Sequence, residues 1–591
     1  MFWPRPCGNF APRRRTPCLS QPQNTNRLIP NSILARACVA LFTLVFSGEK
    51  LFAHGNDLQT YNREDSLRGA LRPERTCFDV LYYHLDLTVD PVNRSIEGSN
   101  RMVYRVIEPT EQLQVDLFEN MKLYRIADAS GNDLAFTRQA NAVFVKLQAP
   151  QQPGSVAELT MHYGGEPIAA VNAPWDGGFT WKEDGSGKPW IGVSCQGIGA
   201  SLWWPNKDHP SDEPDSMLVS VRVPEGLVFV GNGNPRGQSP AGNGYTQFDW
   251  FIGYPINNYN VSLNIGDYVH FSDTFSSIAG KLPLDYYVLR PNLEKAITHF
   301  EQVAPMMACY ENYFAPYPFF KDGFALIETP YLGMEHQSGI AYGNGFKSGY
   351  AGYDISRIGM TFDYIIIHET GHEWWGNSIT CADMADLWIH EGFCTYSEAL
   401  YVECMHGYST ALAYINAKKP GIENKAPMIG AYDVNAEVSG DIYDKGMLML
   451  NTLRHMVEDS QESDAAWFDL IRGITVDFEH KVISSAELEA YMARSLNLDL
   501  EAFFDQYLRQ PSPPVLEYRQ VAEGKTSFLE YRWDAAVPNF AMPIRMRYGQ
   551  DDWQPLKPTT TWQRLTVDKK AKVDGLEFDQ DRYYYLLSQA R

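Results

Sequence analysis

The chain has little cysteine: nine residues in 591, of which only Cys77, Cys195, Cys309, Cys381, Cys394 and Cys404 lie beyond the first 53 positions. Their wide spacing argues against a disulfide-dense scaffold and against a second metal site, and it leaves pairing unreadable. Long apolar runs are scarce too. The run at 37–47, "ACVALFTLVFS", falls short of the about 20 residues a membrane-spanning helix needs, so no integral membrane span is expected. Positive charge is the third shortage. Lys and Arg number 50 against 72 Asp and Glu, a formal −22. Residues 1–53 carry six arginines and one lysine against one glutamate, so removing that +6 leaves −28 on the rest. An acidic body of this size argues against nucleic acid or anionic membranes as partners.

What is present begins with a basic, proline-rich head, the apolar run and a small residue, Ala53, suited to cleavage. Residues 1–53 therefore read as a signal or targeting segment, and a secreted or periplasmic protein is expected. The long basic stretch and the lack of acidic residues before Glu49 keep two alternatives open: an organellar transit peptide, or a cytoplasmic chain with a misplaced start codon.

A chain of 591 residues exceeds one core and should hold several domains. After a linker at 54–75, residues 76–272 read as β-rich. "YYHLDLTVD" alternates Tyr83, Leu85, Leu87 and Val89 with His84, Asp86 and Thr88, and "NVSLNI" repeats the pattern near 260. Residues 273–510 read as helical, opened by "RPNLEKAITHFEQVAPMMACYENYF" with Leu293, Ile297, Phe300, Val303 and Met307 in helical step. Past the proline-rich joint "RQPSPPV", residues 511–591 turn β-like again.

The chemistry concentrates in "IIIHETGHEWWGNSITCADMADLWIHEGFCTYSEALY", residues 365–401. His368 and His372 stand four apart, one turn of a helix, so both imidazoles project from one face. Gly371 objects, since glycine costs a helix about 1 kcal/mol relative to alanine; packing, a metal or a close approach must justify it. Chance alone places H-E-x-x-H in roughly one such sequence in fifty. Eighteen residues separate His372 from Glu391, enough for the first helix to end near Gly376 and a second to begin near Leu387, with Glu391 and Glu398 on one face. Two imidazoles and one carboxylate leave a fourth position open, as in catalytic zinc sites. Glu369, between the histidines, is placed as a general base for amide hydrolysis.

These motifs resemble the gluzincin zinc aminopeptidases of the aminopeptidase N and leukotriene hydrolase type, over roughly residues 76–591. The resemblance implies a multidomain α+β protein: an N-terminal β-sandwich-like domain, a thermolysin-like, mainly helical catalytic domain holding one zinc ion, and a small C-terminal β domain. It does not extend to the long C-terminal helical domain of many members, which would leave the cleft more open. "YLGMEHQSG" (331–339) is similar to the family's exopeptidase motif and makes Glu335 the residue that binds the substrate α-amine, with Gly333 and Met334 beside it. "IYDKGMLML" (442–450) makes Tyr443 the donor to the transition state, and "SCQGIGASLWWPNKDHPSDEPDSM" (194–217) makes Gln196 a substrate contact. Leu332 and His336 depart from the motif.

A physical reason stands beside each assignment. An aminopeptidase must pair a free α-ammonium, and a carboxylate beside the metal does so; a tyrosine hydroxyl opposite the metal serves the oxyanion. Tyr443 could otherwise be an ordinary core tyrosine, and Gln196 a solvent-facing loop residue. Peptides with a free N-terminus are the expected partners. A zinc endopeptidase or other metal-dependent hydrolase of the same fold and a non-catalytic peptide-binding relative are the alternatives, the first opposed by Glu335 and the second by the intact set His368, His372, Glu391, Glu369 and Tyr443. Oligomeric state is not legible.

Overall fold

The computed structural model describes residues 61–524, 526–567 and 575–590; the basic head and the apolar run at 37–47 lie outside the described residues. The first region is β-rich. Phe78–Asp90 buries Tyr83, Leu85, Leu87 and Val89 and half-exposes the residues between them, the period-two pattern of a strand with one face on a core. It lies antiparallel to Ser95–Val106 and parallel to Ser216–Pro224 in a seven-stranded sheet. A four-stranded and a three-stranded sheet share the same apolar core. "NVSLNI" differs from expectation, because only Asn264–Gly266 is a strand. Its asparagines are tied sideways, Asn260 Nδ2 to Asn377 Oδ1 (2.7 Å) and Asn264 Nδ2 to Val230 O (3.2 Å). At Asn260 the side-chain bond stands where a ladder was expected, whereas Asn264 keeps its pairing with Val230.

From Tyr268 the chain builds a five-stranded sheet with its helices. β1 (Tyr268–Ser277) and β2 (Gly280–Leu289) form a hairpin, β3 (Phe324–Glu328) lies parallel to β2, and β5 (Gly339–Tyr342) joins β3 to the short edge strand β4 (Gly333–Met334). β1 thus straddles the 272/273 division drawn from the sequence. The helices that matter for the site are α1 (Val303–Tyr313), α2 (Tyr364–Gly371), α3 (Trp388–His406) and α4 (Asp444–Gln461). The single helix expected from "RPNLEK" onward is broken by a 3-10 turn at Phe300–Gln302. Pro305 explains the break: its ring would clash with the carbonyl of Glu301 in a continuous helix, so it is accommodated only in the first turn of α1. Cys309 of α1 and Cys404 of α3, 95 positions apart, form a disulfide.

The third region is again β. Val515–Glu523 and Thr526–Asp534 pair antiparallel in a four-stranded sheet beside a three-stranded one. Its Trp533, Phe540 and Tyr585 belong to the same apolar core as Leu470, Phe504 and Leu508 of the helical region. Among the described residues no helix is long and apolar enough to cross a membrane.

Candidate active site

α2 starts at Asp363, whose carboxylate accepts the N–H groups of Ile365 and Ile366 and caps the helix. It stops at Gly371, earlier than the expected Gly376, because His372 Nδ1 bonds to Trp375 O at 2.8 Å and the following residues curl into a turn. Gly371 has its justification in packing. A Cβ there would stand 2.9 Å from Cys394 Sγ and 3.4 Å from Ser397 Cβ, both on α3. The glycine lets α3 approach α2, and that approach delivers Glu391 to the two imidazoles.

His368 Nε2, His372 Nε2 and Glu391 Oε2 form a triangle with sides of 3.3, 3.3 and 3.5 Å. Tetrahedral ligands with bonds of about 2.0–2.2 Å stand about 3.3–3.6 Å apart, so the triangle has the size that zinc requires. Glu391 Oε2 is buried with no hydrogen-bond donor, an orphaned acceptor that a cation would satisfy. Burial pushes the Glu391 carboxyl up, but His372 and His368 more than offset this and hold it below its ordinary range. The outer imidazole nitrogens are fixed as well: His368 Nδ1 bonds Glu398 Oε1 at 2.7 Å, and His372 Nδ1 takes the Trp375 carbonyl. Such partners set the tautomer that leaves each Nε2 free to ligate.

Two wider groupings occupy the same volume, His368 and His372 with Cys394, and Glu335 with His372 and Glu391, each within 4.8 Å. The triangle is tighter, and the Cys394 thiol donates to His368 O at 2.8 Å. The second grouping matters for another reason, since it sets Glu335 beside the metal position.

Glu369 is 8% exposed, and burial raises its carboxyl to about 7. Room for it is made by Gly333 on β4, where a Cβ would lie 2.9 Å from Glu369 Oε1 and 2.7 Å from Ile365 Cγ2. Glu335, buried just after β4, receives Gln196 Nε2 at 2.6 Å and the Tyr259 hydroxyl at 3.1 Å, both on Oε1. Met334 packs with Tyr331, Ala341 and Ala173 in a small apolar cluster. Tyr443 is 37% exposed at the start of α4, its ring 6.1 Å from that of His368. Lys445 Nζ donates to the carbonyls of Gln510 (3.2 Å) and Pro511 (2.7 Å), tying this end of α4 to the proline-rich joint. Partial desolvation, then the Glu391, Glu335 and Glu369 carboxylates, raise the Tyr443 phenol above its ordinary value. It therefore stays a hydrogen-bond donor.

The structure brings His368, His372, Glu391, Glu369, Glu335, Gln196 and Tyr443 around one point, with Gly333 against Glu369, while Met334 packs in its own small cluster. Sequence reasoning missed Tyr259, Glu373, Asn377 and the role of Glu398. Only Glu398 carried a sign, its place one heptad after Glu391 on the same helix face.

Residues 298–507 match the Peptidase family M1 domain. Among curated relatives, human endoplasmic reticulum aminopeptidase 1 is 23% identical over 52% of this chain and 34% of its own length. Leukotriene A-4 hydrolase of Xenopus laevis is 23% identical over 65% of this chain and 63% of its own. Aminopeptidase B of Mus musculus is 22% identical over 74% and 71%. The chain thus spans less than two thirds of the length of the first two. A crystal structure of an M1 zinc metallopeptidase mutant from Deinococcus radiodurans with a bound Tyr-Ser-Ala substrate superposes with a TM-score of 0.61 at 21% identity, over 73% of this chain and 94% of that one. At that identity the likeness is one of fold.

Proposed function

We propose, from the premise that residues 298–507 are a Peptidase family M1 domain, that the chain is a zinc aminopeptidase removing the first residue of peptides with a free α-amine. One observation carries this reading: Glu335, held by Gln196 and Tyr259, sits within 4.8 Å of ligand atoms of His372 and Glu391. In finer terms we read the helical region as thermolysin-like and the first β region as sandwich-like.

His368, His372 and Glu391 would hold one zinc ion per chain. Bound there, zinc supplies Lewis acidity and makes water acidic enough to lose a proton near neutral pH. Glu369, raised by burial to about 7 and set beside Gly333, would take a proton from the attacking water and return it to the leaving amine. Tyr443, kept protonated, donates to the oxyanion that develops on the scissile carbonyl. Glu335 pairs with the substrate α-ammonium through Oε2, the oxygen that Gln196 and Tyr259 do not use. That pairing registers the first peptide bond against Glu369 and the metal position.

We further propose a secreted or periplasmic location, on the basic head and short apolar run; the Cys309–Cys404 disulfide supports an oxidising compartment. The functional reading is tested by metal analysis and by cleavage of aminoacyl-arylamides beside their N-acetylated forms. One zinc per chain, loss of activity on chelation and preference for the free amine are expected. Active, zinc-free protein would overturn it, and equal cleavage of both forms would indicate an endopeptidase.

A further inference from the structure

We propose that Glu373 and Asn377 are positioning residues that lock the amine-binding segment 335–338 to the metal-bearing helix. The proposal rests on the reading of Glu335 as the amine-binding carboxylate. Glu373 directly follows the metal ligand His372, yet its side chain is fully buried among neutral donors rather than at the metal triangle. Its oxygens accept from Ser338 N (3.0 and 3.2 Å), the Tyr317 hydroxyl (2.6 Å) and Asn377 Nδ2 (3.0 Å). Asn377 Nδ2 also donates to Glu335 O at 2.8 Å, while its Oδ1 accepts from Asn260 Nδ2 at 2.7 Å.

The two side chains therefore seize both ends of one tight turn. Glu335 presents its carbonyl to Asn377, and Ser338 presents its N–H to Glu373. Ser338 adopts φ +55°, a left-handed conformation that a serine keeps only where its surroundings enforce it. Further bonds close the turn, His336 N to Met334 O (2.9 Å) and Gly339 N to His336 O (3.0 Å). Glu335 is thus held from two directions: its carboxylate by Gln196 and Tyr259, its backbone by Asn377 in the turn that follows α2. A backbone fixed this way sets the distance between the gripped ammonium and the metal ligands. A shift of about 1 Å at such a point can cost on the order of a hundredfold in rate.

The role needs the shape of Glu373 and not its charge. Every partner of Glu373 is a neutral donor, and the Tyr317 hydroxyl also reaches Gly323 O at 2.9 Å. A glutamine could keep Oε1 on Ser338 N and Asn377 Nδ2, turn Nε2 toward the Tyr317 oxygen, and let Tyr317 donate to Gly323. Glu373→Gln should therefore preserve the turn, and Glu373→Ala should release it.

The test compares kcat/KM on an aminoacyl-arylamide and its N-acetylated form for wild type, Glu373→Ala, Glu373→Gln, Asn377→Ala and the double variant Glu335→Ala/Glu373→Ala, with zinc content and Tm alongside. Glu373→Ala should lower the free-to-acetylated ratio about tenfold at unchanged zinc content, and Glu373→Gln should keep it. In the Glu335→Ala background the same change should alter the ratio by less than about twofold, because coupled residues are not additive. Should Glu373→Ala fail to fold, Asn377→Ala, which removes the bond to Glu335 O, must lower the ratio in its place. A Glu373→Ala protein with reduced Tm but an intact ratio would overturn the positioning role, as would Glu373→Gln behaving like alanine. Wild type cleaving both forms equally would instead overturn the reading of Glu335, and this proposal with it.

Discussion

The two β regions flank the same helical region and are joined to it differently. The first centres on an apolar core that takes in only Tyr268, Leu289, Ala325 and Ile327 from the strands of the helical region, and it reaches the site through polar side chains: Gln196 and Tyr259 on Glu335, and Asn260 on Asn377. The last shares one apolar core with the helices and touches the site region through the Gln510 and Pro511 carbonyls on Lys445. Apolar burial is large and non-directional, whereas a hydrogen bond fixes a distance and an angle. The first region should therefore tune the reaction and the last should hold the helices together.

The largest expected effect lies outside both flanks and sharpens the contrast. Glu369→Gln should keep zinc and lower kcat by about 10²–10⁴-fold, the usual reach of general acid–base catalysis; metal analysis with steady-state kinetics checks this, and a variant of near wild-type turnover would remove Glu369 from its role. Next comes the apolar weld. Trp533, buried against Phe540 and Tyr585, should cost about 3–5 kcal/mol of stability on truncation to alanine. Calorimetry should show the helical region destabilised together with the third region; a separate, unshifted helical transition would break the comparison.

The polar side predicts smaller, condition-dependent effects. His336 is fully buried with neither ring nitrogen bonded, and burial lowers it to about 3. Its folded pKa lies below the unfolded value of about 6.5, so its stabilisation is complete above that pH and is lost as pH falls toward 3, by about 2 kcal/mol at pH 5. His336→Met should flatten the decline in stability between pH 7 and pH 5 by that amount in denaturant titrations; an unchanged slope would contradict it. Smaller again, Tyr259→Phe removes one of two donors to the Glu335 oxygen and should lower kcat/KM on free-amine substrates about tenfold, with Tm nearly unmoved. A Tyr259→Phe enzyme that lost stability at unchanged kcat/KM would place the first β region on the same footing as the last.

What could be read from the sequence divides along the same line. His368, Glu369 and His372 lie within one helix turn, and Glu391 heads the next helix, so local periodicity brings them together. Glu335, Gln196 and Tyr443 were selected by resemblance to family motifs, and their neighbours were not visible. Tyr259 lies 76 positions from Glu335 and Asn260 lies 117 from Asn377, and no periodic pattern encodes such pairings. The same polar contacts explain why "NVSLNI" is only partly a strand. Gly371 was legible as an oddity and Gly333 only as part of a motif, because the atoms that crowd them come from α3 and α2.

The central claim is that Glu335 recognises the free α-amine beside the metal. It is tested most directly by kcat/KM for one peptide-like arylamide in free and N-acetylated forms, on wild type and on Glu335→Ala. We expect wild type to favour the free amine and Glu335→Ala to lose about tenfold to more than a hundredfold on it, the 1.5 to 3 kcal/mol of a charge-assisted contact, with one zinc per chain retained. Equal cleavage of the two forms by wild type, or a Glu335→Ala enzyme that keeps the full preference, would contradict the claim.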